Sequence, residues 1–515
     1  MHAFEWLIGL LLGALLLSAL ARRLGVPYPT FLALGGIGIA FLPHAPNWTL
    51  EPGLALALFV APVLLDAAFD TSLRDLRDNW FPVTMLVLAA VGVTTVAVAI
   101  VAHWLVPAMP WAAAIALGAI VAPPDAAAAT AILRSVKLPY RVLKILEGES
   151  LLNDASALLI YRVAVGAAMA SSLSVTHIAP ILAYAIVGSL VAGFVFAKLS
   201  MLFMERIKDA PSSIIMQFAG TFLVWIAAEQ LQLSGILTIV VYAITIARSA
   251  PAQMSAQLRV PSFAVWETVV FLLNIMAFVL IGMQLRPIWA NLDASVRHDY
   301  VLVAAAVLGT VILVRIAWHM PFNAVMRWRD RRYGFNPPRP MLRPTVGSGL
   351  VISWAGMRGI VSLAAAMALP AGFPHRDLVV FTAFAVVLGT LTIQGLTLKP
   401  LLRALDLHDG DPVGHELAAA RAEALRAGLD SVAGDESTVA AAIRQELTAH
   451  LGHDGTGADV VDASGTAYSG AQYRALAAAR RAVIAMRARD EIGDDAFHRI
   501  EEELDWLEMA SGEGR

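Results

Sequence analysis

The 515-residue chain is 58% hydrophobic and 15% charged, with a mean hydropathy of +0.69, against about 45–50% apolar and about 25% charged residues in a soluble domain. That balance excludes an ordinary soluble protein and predicts a polytopic membrane protein. Having no cysteine, the chain excludes disulfides, thiol catalysis and cysteine-held metal. The net charge of −3 is unevenly placed: residues 1–403 carry +9 and residues 404–515 carry −12. Two parts follow, a basic membrane body over 1–403 and an acidic, alanine-rich tail over 404–515.

A hydrocarbon core takes roughly 20 apolar residues per helix. In chain order the candidates are 4–21, 27–43, 53–69, 81–105, 111–133, 142–170, 179–204, 213–231, 233–248, 263–285, 300–326, 345–370 and 377–402. That is about thirteen spans, with the first read as a retained span because no lysine or arginine precedes it. One set of alternate loops holds 21 Lys and Arg, among them Arg74, Arg77, Arg141, Lys144, Arg248, Arg259 and Arg343; the other holds Arg286, Arg297 and Arg376. Basic residues collect in cytoplasmic loops, which puts the N-terminus outside and the tail in the cytoplasm.

Ionisable groups at membrane depth are costly and mark a site or pathway by default. Asp125, Asp154 and Arg358 fall near span centres, whereas Asp66 and Glu267 lie near span ends. In EGESLLNDASALLIYR, 147–162, Ser150 and Asp154 share one helical face and Glu149 and Asn153 an adjacent one. A hydroxyl with a carboxylate suits a hard cation. Buried Glu149 needs a cationic partner, and Arg358 is the expected one, with Arg162 and Arg315 expected to join helices by hydrogen bonding. In AIVAPPDAAAATAIL, 119–133, Pro123 and Pro124 lack N–H groups and precede Asp125 at mid-membrane, predicting a broken helix. SWAGMRGIVSLAAAMALP, 353–370, sets glycines around Arg358 in a second candidate break. The seven-span shift between these two segments, with opposite direction through the bilayer, predicts inverted six-helix repeats.

Four stretches in this order, LFVAPVLLDAAFDTSLRDLRDN, APPDAAAATAIL, EGESLLNDASAL and WAGMRGIVSLAAA, resemble the monovalent cation:proton antiporter-1 family, the NhaP/NHE type of Na+/H+ antiporter, and look most like its bacterial members. The resemblance covers about residues 1–403. It implies an all-α fold of about 13 transmembrane helices in which two broken helices cross, assembled as a homodimer in the bacterial inner (plasma) membrane. It further implies that Asp154 takes a proton or a cation in turn, with Ser150 and Asp66 as further Na+ ligands. Asn153, Asp125, Pro124, Glu149 and Arg358 then support the site. Where the family has Thr-Asp-Pro, this chain has Pro124-Asp125-Ala126, so a threonine hydroxyl is missing at the break.

With asparagine at 153 in place of a second acid, the expected activity is 1:1 electroneutral exchange of Na+, or Li+, for H+. A K+/H+ antiporter of the same fold is the alternative, followed by a cation channel. An intramembrane hydrolase lacks its histidine, since His103 and His319 are placed near span ends, and no HExxH motif occurs. The chain is read as a transporter and not an enzyme, with no catalytic residues, no cofactor and no nucleic-acid partner; the transported ions and membrane lipid are its expected partners. In the tail, helices are expected over 414–430, 436–451 and 468–510, separated by a flexible linker. RIEEELDWLEMA, 499–510, is similar to tails of bacterial members, and a regulatory role is expected. His450, His453 and Asp454 are read as a solvated loop in preference to a metal site.

Overall fold

The computed structural model describes residues 2–42, 51–125, 128–129, 139–169, 175–334, 343–407, 412–436, 438–452 and 466–510. Residues 126–127 and 130–133 of the expected span 111–133, the basic residues Arg134, Lys137 and Arg339, the linker residues 453–465 and so His453 and Asp454 lie outside them. The described residues are helical, with no strand among them.

In chain order the helices are α1 (His2–Leu24), α2 (Tyr28–Ala40), α3 (52–69), α4 (80–105), α5 (Trp111–Val121), α6 (Tyr140–Met169), α7 (Val175–Met204), α8 (Ala210–Gln230), α9 (Gly235–Gln253), α10 (Ala256–Met283), α11 (Arg297–Tyr333), α12a (Val346–Trp354), α12b (Ile360–Met367) and α13 (Arg376–Leu405). The tail holds α14 (Pro412–Ser431), α15 (Thr438–Gly452), α16 (Thr466–Ala488) and α17 (Asp494–Ala510). Among the described residues nine helices are long and apolar enough to cross a bilayer. The expected spans at 27–43, 111–133, 233–248 and 345–370 coincide instead with shorter or interrupted helices. Large apolar side chains such as Leu16, Val187, Phe194, Leu223 and Leu313 point outward from α1, α7, α8 and α11, as lipid-facing surfaces require.

The interruptions follow from local chemistry. In α3, Pro62 lacks an N–H, and the preceding residues Leu56–Val60 widen into a π-turn that absorbs the missing bond. Pro123 and Pro124 terminate α5. A capping box opens α12a: Thr345 Oγ1 accepts the Ser348 N–H at 3.0 Å and Ser348 Oγ accepts the Thr345 N–H at 2.9 Å. The helix then breaks over Ala355–Gly359 and resumes at Ile360, in a stretch where two glycines weaken the helical preference.

The helices pack as two groups. α4, α5, α6, α11, α12a, α12b and α13 surround one another, and α1, α2, α3, α7, α8, α9 and α10 form the second, with α3 meeting α6 and α12b where the groups touch. α2 and α10 approach to backbone contact: a Cβ on Gly36 would strike the Val279 carbonyl, and one on Gly282 the Ala33 carbonyl. Gly282→Ala should therefore cost about 1–3 kcal/mol by overpacking, read as a lower melting temperature in detergent. An unchanged melting temperature would show that these helices separate more easily than drawn.

The tail has its own apolar cluster, built from Ala420, Ala424, Ala479, Val483, Ile492, Phe497, Ile500 and Leu504. The stretch 468–510, expected as one helix, is divided: α16 ends and the chain turns through Asp490, whose φ is 58°, before α17 begins.

Candidate functional site: a buried carboxylate beside two interrupted helices

The centre of the first group is where α5 and the α12a–α12b break meet. Arg358, 1% exposed, donates from Nε to the Val121 carbonyl at 2.8 Å and from Nη2 to the Ala122 carbonyl at 3.0 Å. Its Nη1 donates to the Gly356 carbonyl. These are carbonyls left without helical partners where each helix stops, and the C-terminal end of a helix favours a cation. Opposite it, the Asp125 N–H donates to the Met357 carbonyl at 2.7 Å. A Cβ on Gly359 would collide with the Asp125 carboxylate, so Asp125 sits against the N-terminal end of α12b, where a negative charge is favoured. Thr390 Oγ1 of α13 accepts the Arg358 N–H at 3.0 Å. The two breaks are thus stitched together by one cation, one anion and a backbone bond.

α6 runs past this junction. Asn153, fully buried, donates from Nδ2 to the Pro124 carbonyl at 3.1 Å, while its Oδ1 has no hydrogen-bond partner among the described residues. Asp154, 8% exposed, has no basic partner among the described residues. Ser150, half-buried, is one turn away on the same face. An unpaired buried carboxylate beside an orphaned amide oxygen is a donor set that a hard monovalent cation or a proton satisfies.

Glu149 is buried, and its partner is a correction. Arg315 of α11, not Arg358, holds it, donating from Nη1 to Oε1 at 2.6 Å and from Nη2 to Oε2 at 2.8 Å. Arg315 also donates to the Ile352 carbonyl at 3.0 Å. Arg358 is unavailable because its guanidinium is used on the carbonyls of the breaks. Arg315 was expected only to join helices; its depth in the run VILVRIAWHM was the available signal, but depth does not choose between two central arginines. Arg162 does join helices, bonding Glu229 of α8 at 2.7 Å and the Leu233 carbonyl. His319 lies one turn from Arg315 on the 37-residue α11 and is 3% exposed.

Asp66 is found elsewhere. It lines a cavity of about 160 Å³ at the tail side of α3, with Tyr242, Arg259 and Trp266 among the other walls. Neither Ser150 nor Asp154 lines that cavity. No cluster of three metal-ligating side chains occurs among the described residues.

These features define a multi-pass helical membrane protein organised around two interrupted helices that meet at a buried polar centre. The chain belongs to the sodium/hydrogen exchanger family: the model for "Sodium/hydrogen exchanger, transmembrane" matches residues 10–404. It is 32% identical over 396 residues to the sodium, potassium, lithium and rubidium/H(+) antiporter of Bacillus subtilis, a match covering 73% of this chain but 58% of that protein. It is 29% identical to the uncharacterized Na(+)/H(+) exchanger YjcE of Escherichia coli, covering 84% of this chain and 83% of that one. The sodium proton antiporter MjNhaP1 of Methanocaldococcus jannaschii shares the fold, with a TM-score of 0.62 at 18% identity over 80% of this chain and 99% of that one. The family is one of transporters, as the four sequence stretches led us to expect.

Proposed function

We propose that the chain exchanges a monovalent cation for H+ across the bacterial inner membrane by competition of the two ions for Asp154. The observation that carries this reading is a carboxylate, Asp154, buried in a polytopic membrane protein with no cationic partner among the described residues. Such a group is neutralised either by a proton or by a cation, and the empty anion is costly to move through a low-dielectric interior. One carboxylate with an asparagine beside it carries one positive charge each way, so the exchange is assigned as 1:1 and electroneutral. Asn153 Oδ1 and Ser150 are assigned as neutral ligands, and Asp66 as the acid that meets the cation from the tail-side cavity. Asp125, the Pro124 carbonyl, Glu149 and Arg358 hold the geometry.

The nine long helices, together with α2, α5, α9 and the α12a–α12b pair, are assigned as thirteen crossings related as inverted repeats. Among the described residues, Arg74, Arg77, Lys144 and Arg259 of the basic loop set form ion pairs with the tail, which supports one common side for that set, assigned as the cytoplasm. A homodimer is assigned from the family resemblance. Na+ is the assigned cation; the Bacillus relative, named for sodium, potassium, lithium and rubidium, makes K+ the specific second reading.

Purified protein in liposomes with an internal pH dye, given Na+, K+ or Li+ pulses, tests this. The expected result is a cation-driven pH change unaltered when the membrane voltage is clamped. No response to any of the cations overturns exchange. A voltage-driven current at symmetric pH overturns electroneutrality alone.

A further inference from the structure

A second cavity lies on the side of the basic loop set, and its walls carry the opposite sign to those at Asp66. It holds about 60 Å³ and sits inside the first helix group, between the starts of α4, α6 and α12a and the later turns of α11. Arg141 and Arg343 line it, and among the described residues no aspartate or glutamate does. The Asp66 cavity, in contrast, has Asp66, Asp70, Glu205 and Glu501 in its walls against the single Arg259. A cation has no reason to enter the second cavity; an anion has.

The inner wall points to the same kind of ligand. His319, 3% exposed, lines the cavity, and its Nε2 has no hydrogen-bond partner among the described residues. A buried polar nitrogen left in that condition is costly and calls for an occupant. With its proton on Nε2, a neutral imidazole donates to an oxyanion. Asn323, one turn further along α11, is already used: its Nδ2 donates to the Thr345 carbonyl at 2.6 Å, which fixes α11 against the start of α12a. Arg141 donates from Nε to Asn79 Oδ1 at 3.1 Å, which sets the direction of its guanidinium. The planar fork of an arginine can serve a carboxamide and an oxyanion together. α12a begins here, with Pro344, Ser348 and Gly349 in the wall, and the N-terminal end of a helix favours a negative charge.

The rest of the wall is apolar, with Leu86, Phe322 and Met326. Next to it, at the start of α4 and the end of α11, Trp80, Trp328 and Tyr333 stand exposed. Tryptophan and tyrosine collect at the level of the lipid headgroups. The cavity therefore lies where a bilayer brings phosphate groups beside acyl chains, and it offers donors for the first and apolar surface for the second.

We propose that this cavity binds the phosphate of an anionic membrane phospholipid, held within one protomer between Arg141, Arg343 and His319. The phosphate oxygens accept from both guanidiniums and from His319 Nε2, and an acyl chain lies along Phe322 and Met326. A zwitterionic lipid carries the same phosphate but brings an ammonium group against two arginines, so it is disfavoured. The bound lipid joins the start of α6, the helix of Asp154, to the start of α12a, the helix that leads into the second break. The site does not depend on which ion the protein moves, nor on exchange itself.

Melting temperatures of delipidated protein in a neutral detergent, measured against dioctanoyl phosphatidylglycerol, dioctanoyl phosphatidylcholine and inorganic phosphate, test this. The expected result is a saturable rise with phosphatidylglycerol and little or none with the other two at equal concentration. Half-saturation should move up about tenfold in Arg141→Gln and in Arg343→Gln, the loss of one charge-assisted hydrogen bond. Arg329→Gln, at an exposed position on α11 outside the cavity, should leave it unchanged. Arg343 is exposed, so its variant decides the matter even where Arg141→Gln does not fold. No rise with phosphatidylglycerol, or equal rises with the two lipids, overturns the site. A response that Arg329→Gln weakens as much as Arg343→Gln does is attraction to a basic surface at large, and overturns it too. A rise with inorganic phosphate equal to that with phosphatidylglycerol overturns the lipid and assigns the cavity to free phosphate.

Discussion

Asp154→Asn is expected to abolish cation-driven proton flux to the level of empty liposomes while leaving the protein as stable as wild type or more so. The two readouts should part company because the side chains are nearly the same size. Asparagine cannot bind a proton as an acid does, nor neutralise a cation. It also removes a buried carboxylate that has no basic partner among the described residues, and burial of such a group without compensation is unfavourable by several kcal/mol. A rise in melting temperature alongside lost flux marks a group kept for function at the expense of stability. Loss of flux together with a collapsed melting temperature would mean instead that Asp154 is a structural element, and the assignment of the ion to it would fall.

The second large effect concerns Glu149 and Arg315. Glu149→Gln leaves a guanidinium 4% exposed without its counter-charge, and removal of one partner from a buried pair costs about 3–5 kcal/mol. Arg315→Met alone should be as damaging, since Glu149 is then left unneutralised. The double variant Glu149→Gln with Arg315→Met removes both charges together and should recover most of the loss, as coupled neighbours do. Melting temperatures of the four proteins in detergent decide it. Additive losses would show that the pair is not coupled in the folded protein. In contrast, Arg358→Met should not be rescued by Glu149→Gln, because its guanidinium serves carbonyls and not a carboxylate.

That contrast marks the limit of what was legible in the sequence. Composition and the periodicity of apolar runs placed the membrane helices, because a span is set by length and hydropathy alone. Pro123, Pro124 and the glycines around Arg358 announced both interruptions, because backbone chemistry is local. The cluster of Asp154, Asn153 and Glu149 was legible from helical spacing. Partner choice was not. Which arginine meets Glu149 depends on how α11 is rotated against α6, and nothing in the residues around Arg315 or Arg358 encodes that rotation. The same reason hid Thr390, an ordinary threonine in an apolar run until α12b is laid beside α13. The contact of the tail with the body was hidden too, since Arg259 of α10 and Asp505 of α17, which pair in the structure, are 246 residues apart.

The bonds of Arg358 have a mechanical meaning. One guanidinium grips the last carbonyls of α5 and a carbonyl of the loop between α12a and α12b, while Asp125 is tied by its N–H to that same loop. Neither interruption is then a hinge. A hinge needs a free backbone, and here each loose end is bolted to the other. On the exchange proposed above, an ion held beside these breaks changes the side it faces only if the paired breaks shift as a whole along the helices beside them.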